Sequence, residues 1–350
     1  MELTLQNYLN QLIHNPTLII ISMLTLGVIL VNGWTDAPNA IATCVSTRSI
    51  RPKKAIVMAA IFNFLGVFIM TFISSTVAET IYNIVNFGDN AYEALVALCA
   101  GLFAIVTWAI FAWYFGIPTS ESHALIAGIS GAAIAVQKGI SGINFYEWKK
   151  VIYGLIISTV LGFCLGFLIN KMIEKICRHM DRRKTIPFFK KTQVSGGALV
   201  AFMHGAQDGQ KFMGIFLMAL ALSNGITETQ IFEIPIWLMI LCSATMTIGT
   251  SIGGYKIIKT VGMDMVKLEP YQGTAADLAG ACCMLLSSLF GIPVSTTHTK
   301  TTAIMGVGAS RGLNRVDWNI VKNMVLAWIF TFPGCGLLGY VVTLIFMKIF

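Results

Sequence analysis

Apolar runs about as long as a bilayer is thick dominate this chain. They occupy residues 18–31, 55–77, 94–115, 151–169, 231–252, 278–292 and 324–349. With their flanks, most reach the roughly 20 helical residues needed to cross a hydrocarbon core of about 30 Å. In lipid every backbone N–H and C=O needs an internal partner, so only helices and closed barrels span. None of these runs alternates with the two-residue period of a barrel strand. The expected fold is an all-α polytopic protein seated in a lipid bilayer. Composition agrees, since 56% hydrophobic and 11% charged residues are far from the balance of a soluble domain.

A formal charge of +8 raises the question of nucleic acid, and the placement of the charges answers it. Lys and Arg gather at 47–54, 170–191 and 309–322, whereas the connections 78–94 and 223–233 carry acids and no Lys or Arg. Under the positive-inside rule the basic segments are cytoplasmic and the acidic ones external. The charges thus set orientation and meet anionic lipid, and no nucleic acid is expected as a partner. This predicts a multi-pass protein of the cell (plasma) membrane with both termini external and the loop 171–191 cytoplasmic. The first residues, "MELTLQNYLNQLIHNP", lack the basic region of a cleavable signal peptide. The eight cysteines show no Cys-x-x-Cys spacing and read as small core residues.

Polar motifs interrupt the apolar runs, and they come in pairs. "GWTDAPNA" at 33–40 corresponds to "GAQDGQKF" at 205–212, with Asp36 and Asp208 in register (208 − 36 = 172). "GIPTSESH" at 116–123 corresponds to "GIPVSTTH" at 291–298 (291 − 116 = 175). Two motif pairs at nearly one offset mark a duplication, with units at 1–170 and 195–350 joined by a basic cytoplasmic connecting loop at 171–194. About five crossings precede residue 171, and an odd number inverts the second unit. The expected architecture is two inverted-topology repeats of about five or six transmembrane segments each, with broken or re-entrant helices at the midplane. That pattern points to a secondary transporter with its site between the repeats.

Pro118 and Pro293 are each expected to open a helix inside the membrane, with Ser and Thr satisfying the free N–H groups. Two such N-termini facing one another would suit a tetrahedral oxyanion. Asp36 and Asp208 sit within apolar segments, where a carboxylate is costly and by default functional. Thr35, Asn39 and Gln207 beside them offer oxygen atoms to a hard monovalent cation. An anion next to two carboxylates is repelled unless cations bind with it, which is the physical basis of symport. Asp277 reads as a further coupling group, as a proton carrier or as an interfacial residue. Glu121 adds a carboxyl where the second unit has Thr296. Lys211 stands where the first unit has Asn39, so the site is not symmetric; it would neutralise Asp208, approach the anion or snorkel. His123 and His298 read as hydrogen-bonding struts or substrate contacts. A Ser/His hydrolase is the alternative class, yet "SESH" and "STTH" are not a Gly-x-Ser-x-Gly elbow and an enzyme has no need of its nucleophile twice. No enzyme and no resident cofactor are expected.

With these motifs the chain resembles the inorganic phosphate transporter family, in which patterns close to Gly-Ala-Asn-Asp-x-x-Asn-Ala and Pro-x-Ser-x-Thr-His each occur twice. The likeness runs from about Gly27 to Gly308. "PVSTTH" matches in full; Thr35, Gln207, Lys211, Glu121 and Ser122 depart from the pattern, Asp277 stands where Glu is common, and Asn63 where some members have Glu. The resemblance implies phosphate uptake coupled to Na⁺ or H⁺, often by a homodimer of about twelve-helix protomers. The residues expected to hold phosphate are Ser120, Glu121, Ser122, Ser295, Thr296 and Thr297, helped by Gln207. The coupling ion falls to Thr35, Asp36, Asn39 and Asp208, with Asp277, Lys211, His123 and His298 as further coupling groups. Neutral oxygen atoms beside the acids favour Na⁺ over H⁺. Another tetrahedral oxyanion, such as sulfate, is the nearer alternative substrate.

Overall fold

Prolines and capping side chains set the helix starts along this chain. The computed structural model describes residues 4–115, 119–224, 233–252, 258–259, 261–262 and 265–350. A short α1, Leu5–His14, leads to α2, Pro16–Thr35, which Asn15 caps at Thr17 and Leu18. Pro38 opens α3, Pro38–Ser46, and Pro52 opens α4, Pro52–Ile73. Pro is favoured there because its missing N–H would have had no intrahelical partner. There follow α5, Thr76–Tyr82, and α6, Ala91–Tyr114, the latter capped by Asn90. The first half closes with α7, Glu121–Gln137, and α8, Phe145–Cys177. The second half holds α9, Arg182–Ser223, α10, Ile236–Ile252, α11, Pro270–Leu289, α12, Thr296–Ser310, and α13, Trp318–Ile349.

Pro16–Ser46 taken together, α4, α6, α8 and α13 are long and apolar enough to cross a membrane. The outward faces of α8 and α13 carry exposed Ile156, Val160, Leu168, Ile329, Phe330 and Leu337, which suits contact with lipid. Among the described residues the fold is all-α; the sole β contact is a bridge between Val85 and Ile143.

Packing between the halves is reciprocal. α4 lies on α9 while α10 lies on α2, and α7 lies on α13 while α12 lies on α8. Glycines let the first two pairs approach closely: a β-carbon at Gly205 would collide with the Asn63 carbonyl, and one at Gly249 with that of Leu30. Small residues at helix contacts are the usual means of association in lipid, where apolar burial gives no drive between helices. The centre of the bundle is polar. Every residue of α12, "TTHTKTTAIMGVGAS", is buried, so this helix meets protein on all sides.

Two expectations need correction. The stretch 171–194, read as a loop, is helical on both sides of a turn at 178–181. Lys, Arg and Glu are good helix formers and carry the basic segment on as helix, with Asp181 capping Arg183 at 2.9 Å. Pro293 does not open a helix, because α12 begins three residues later at Thr296 with Ser295 as its cap. The helix-opening role read for Pro118 falls on 116–118, outside the described residues, as do residues 231–232 of one apolar run.

Candidate functional site

The paired aspartates sit on different backbones. Asp36 ends α2, and the chain breaks there because Pro38 has no N–H to offer the preceding turn. Asp208 lies inside the unbroken α9. At the position equivalent to Pro38 the second half has Gln210, which keeps its N–H, and its side chain donates to the Ser74 carbonyl at 2.6 Å. The hydroxyl motifs, in contrast, fold alike. Ser120 Oγ accepts the His123 N–H and Ser295 Oγ accepts the His298 N–H, each at 3.2 Å.

These elements bring the two aspartates into one buried cluster. Asp36 Oδ1 accepts from Asn39 Nδ2 at 2.7 Å and from the Thr297 hydroxyl. Thr296 Oγ1 lies 3.2 Å from Asp36 Oδ2 and 3.4 Å from Asp208 Oδ2. A hydroxyl has one hydrogen, so Thr296 serves one carboxylate at a time. Asp208 Oδ1 accepts from Lys211 Nζ at 2.7 Å and Ser122 Oγ at 3.3 Å, and Oδ2 from Asn32 Nδ2 at 3.1 Å. Glu121 is only 4% exposed, and Asn32, Asp36 and Asp208 are its electrostatic neighbours.

His204 completes the cluster. Thr250 Oγ1 donates to the Met246 carbonyl at 2.8 Å and therefore accepts from Asn63 Nδ2 at 3.1 Å. That turns Asn63 Oδ1 toward His204 Nδ1 at 3.0 Å, and the network assigns the hydrogen to Nδ1. His204 Nε2 then faces Asp208 Oδ2 at 3.4 Å. Asp36, His204 and Asp208 each present a ligand atom within 4.8 Å of the others. Two carboxylate oxygens and one ring nitrogen so close together have the donor chemistry to hold a cation.

The chain's identity follows from its relatives. The sequence model of the phosphate transporter family matches residues 32–339. The chain belongs to the phosphate transporter family. It is 38% identical over 332 residues to a probable low-affinity inorganic phosphate transporter of Bacillus subtilis, covering 95% of this chain and 98% of that one. A protein of the same description from Rhizobium meliloti is 38% identical over 308 residues, covering 88% and 90%. A solved structure described as the sodium-dependent phosphate transporter superposes with a TM-score of 0.87 at 24% identity, over 96% of this chain and 100% of that one; at that identity the likeness carries the fold. The protein is a multi-pass membrane phosphate transporter and not an enzyme.

Within this transporter the expected site residues divide. Asp36, Asn39, Ser122, Asp208, Lys211, Thr296 and Thr297 meet in the cluster, with Glu121 beside it. Ser120 and Ser295 stand at the edge as helix caps. Thr35 does not join, since its hydroxyl donates back to the Val31 carbonyl at 2.7 Å. Gln207 acts as a brace: its Nε2 donates to Ser288 Oγ at 2.9 Å and its Oε1 accepts from Val294 N at 3.4 Å. The extended backbone ahead of α12 needs such partners. The rings of His123 and His298 are not hydrogen-bonding struts. The His123 ring stacks on Phe332 at 4.6 Å and the His298 ring on Trp328 at 3.8 Å, with the two imidazoles edge to face at 4.6 Å. Asp277 is neither interfacial nor in the cluster. It is fully buried, paired with Lys300, and accepts from Thr43 Oγ1 at 2.7 Å.

Sequence reasoning missed Asn32, His204 and Lys300. Asn32 and His204 lie four residues before Asp36 and Asp208, one helical turn away on the same face, and share the aspartates' repeat offset. That spacing was the available signal.

Proposed function

We propose that this phosphate transporter imports inorganic phosphate by symport with cations, Na⁺ in preference to H⁺, through alternating access about the buried cluster. Phosphate meets the N-terminal turns of α7 and α12, with Ser120, Glu121, Ser122, Ser295, Thr296 and Thr297 and the free backbone N–H groups as its partners. The coupling cation meets Asp36, His204 and Asp208, with Asn39 and Thr297 holding Asp36 in place. The reciprocal packing of α4 on α9 and α10 on α2 supports two inverted-topology repeats that rock against one another. The external termini and the cytoplasmic turn at 178–181 rest on the distribution of basic residues.

One observation carries this proposal: Asp36 and Asp208, contributed by different halves, share Thr296 and lie within 4.8 Å of each other by their ligand atoms. Two unpaired charges at that spacing would repel by about 3–4 kcal/mol at an effective dielectric of about 20, a cost that Lys211 offsets at Asp208 Oδ1 while Asp36 is met by neutral donors. An anion brought beside them adds to that cost, and a bound cation offsets it. Anion and cation therefore favour each other's binding. The sodium-dependent description of the solved relative and the buried oxygen ligands support Na⁺.

Labelled phosphate uptake into proteoliposomes under imposed Na⁺ or H⁺ gradients tests the proposal. The expected result is uptake driven by the Na⁺ gradient and little affected by excess sulfate. Uptake indifferent to both gradients would remove symport, and competition by sulfate would broaden the substrate.

A further inference from the structure

Asn39 and Lys211 occupy equivalent positions in the two halves, and the structure gives them equivalent contacts. Asn39 Nδ2 donates to the aspartate three residues before it, Asp36 Oδ1, at 2.7 Å, and to Thr297 Oγ1 at 2.9 Å. Lys211 Nζ donates to the aspartate three residues before it, Asp208 Oδ1, at 2.7 Å, and to Ser122 Oγ at 2.7 Å. Ser122 and Thr297 are themselves equivalent, each four residues after the proline of its motif (297 − 122 = 175). One half thus places a neutral amide where the other places a full positive charge.

The charge is fixed and enclosed. Lys211 is fully buried, and a third contact joins its Nζ to the Val294 carbonyl at 2.5 Å. An ammonium has three N–H bonds. All three are taken by protein oxygens: a carboxylate, a hydroxyl and a backbone carbonyl. Such an oxygen set is one that a small monovalent cation would use. Lys211 has no N–H left for a phosphate oxygen, so it is not a direct anion ligand. Nor can it snorkel, being enclosed at the core.

The geometry points to Lys211 as a tethered cation, which permanently fills at Asp208 Oδ1 the place that a second mobile coupling ion would take and leaves one mobile ion to Asp36, His204 and Asp208 Oδ2. This deepens the symport proposal by setting its stoichiometry: the transporter moves one fewer cation per phosphate than the same scaffold would with an amide at residue 211. The chain carries its own converse in Asn39, the amide at the matching place. The inference rests on the symport proposal for its consequence, and the test separates the two.

The full chain and Lys211→Asn would be reconstituted in proteoliposomes. The charge moved per phosphate would be read as the membrane potential that nulls a fixed phosphate gradient. The variant is expected to carry one more positive charge per phosphate than the parent, whichever ion couples. An unchanged ratio would overturn the tethered cation while leaving symport intact, whereas zero coupling in the parent would overturn symport itself. Should Lys211→Asn transport too slowly to null, thermal unfolding of both purified proteins against Na⁺ concentration decides the matter. The variant midpoint should climb more steeply with log Na⁺, because Asp208 then takes an ion that the parent excludes. Parallel slopes would overturn the inference. Lys211→Arg, which keeps the charge, should keep the parental slope.

Discussion

Asp36 and Asp208 are the same residue of a duplicated motif, yet their surroundings differ in kind. Asp36 ends a broken helix and is held by Asn39, Thr296 and Thr297, all neutral donors. Asp208 sits in an unbroken helix and is paired with a buried lysine at 2.7 Å. On the proposed reading one carboxylate exchanges with a mobile ion and the other is locked. A second asymmetry follows the same rule. Asp277 and Lys300 form a buried pair where the first half has Leu102 and Leu125 at the same offset, both fully buried. In each case the second half encloses a charge pair that the first half lacks.

The comparison predicts unequal responses. Asp208→Asn leaves the Lys211 ammonium buried without its counter-charge, and breaking such a pair costs about 3–5 kcal/mol. Asp36→Asn loses charge-assisted bonds but relieves repulsion, so its stability should stay within about 1 kcal/mol of the parent. Thermal unfolding in detergent checks this, and equal losses in the two variants would erase the distinction. Although folded, Asp36→Asn should lose at least about tenfold in cation-dependent uptake, an effect of about 1.4 kcal/mol or more on the driving interaction.

The Asp277 pair gives the next effect. Asp277→Asn should destabilise by about 3–5 kcal/mol through an unpaired Lys300. The double change Asp277→Leu with Lys300→Leu copies the first half and should recover most of that loss, because replacing a buried ion pair by apolar groups is often neutral. A double variant less stable than Asp277→Asn would show that the pair is more than a local substitute for leucine packing.

The smallest expected contrast is between Gln207 and its equivalent, Thr35. Gln207→Leu releases the Val294 N–H and the Ser288 hydroxyl and should cost about 1–3 kcal/mol. Thr35→Val loses one bond to its own helix and should cost about 1 kcal/mol. Proteolysis near 292–295 would report the freed segment in the first variant alone.

Long apolar runs made the helical class legible because they are patterns over many residues, and the shared offset of Asp36 and Asp208 paired two residues that the fold brings together. The cluster was legible in part. Asp36, Asp208 and the hydroxyl motifs stand out as polar interruptions, whereas Asn32 and His204 are single polar residues that gain meaning only when a helical turn sets them beside an aspartate. Lys300 lies within a polar run, "STTHTKTT", where one more polar residue carries no contrast; only the packing of α12 against α11 brings it to Asp277. Charge misled at 171–194, since a basic segment can extend a helix into water as readily as it forms a loop. The strut role read for His123 and His298 failed because an imidazole packs as an aromatic ring as well as it hydrogen-bonds, and Phe332 and Trp328 lie far along the chain.

The central claim is that cation and phosphate bind one cluster and favour each other. Phosphate binding to the purified transporter, measured at fixed pH and ionic strength in Na⁺ and in choline, addresses it directly, together with Na⁺ binding measured with and without phosphate. The account predicts that Na⁺ tightens phosphate binding and that phosphate tightens Na⁺ binding by the same factor, as linkage requires. Phosphate binding equally tight in choline and in Na⁺ would contradict it.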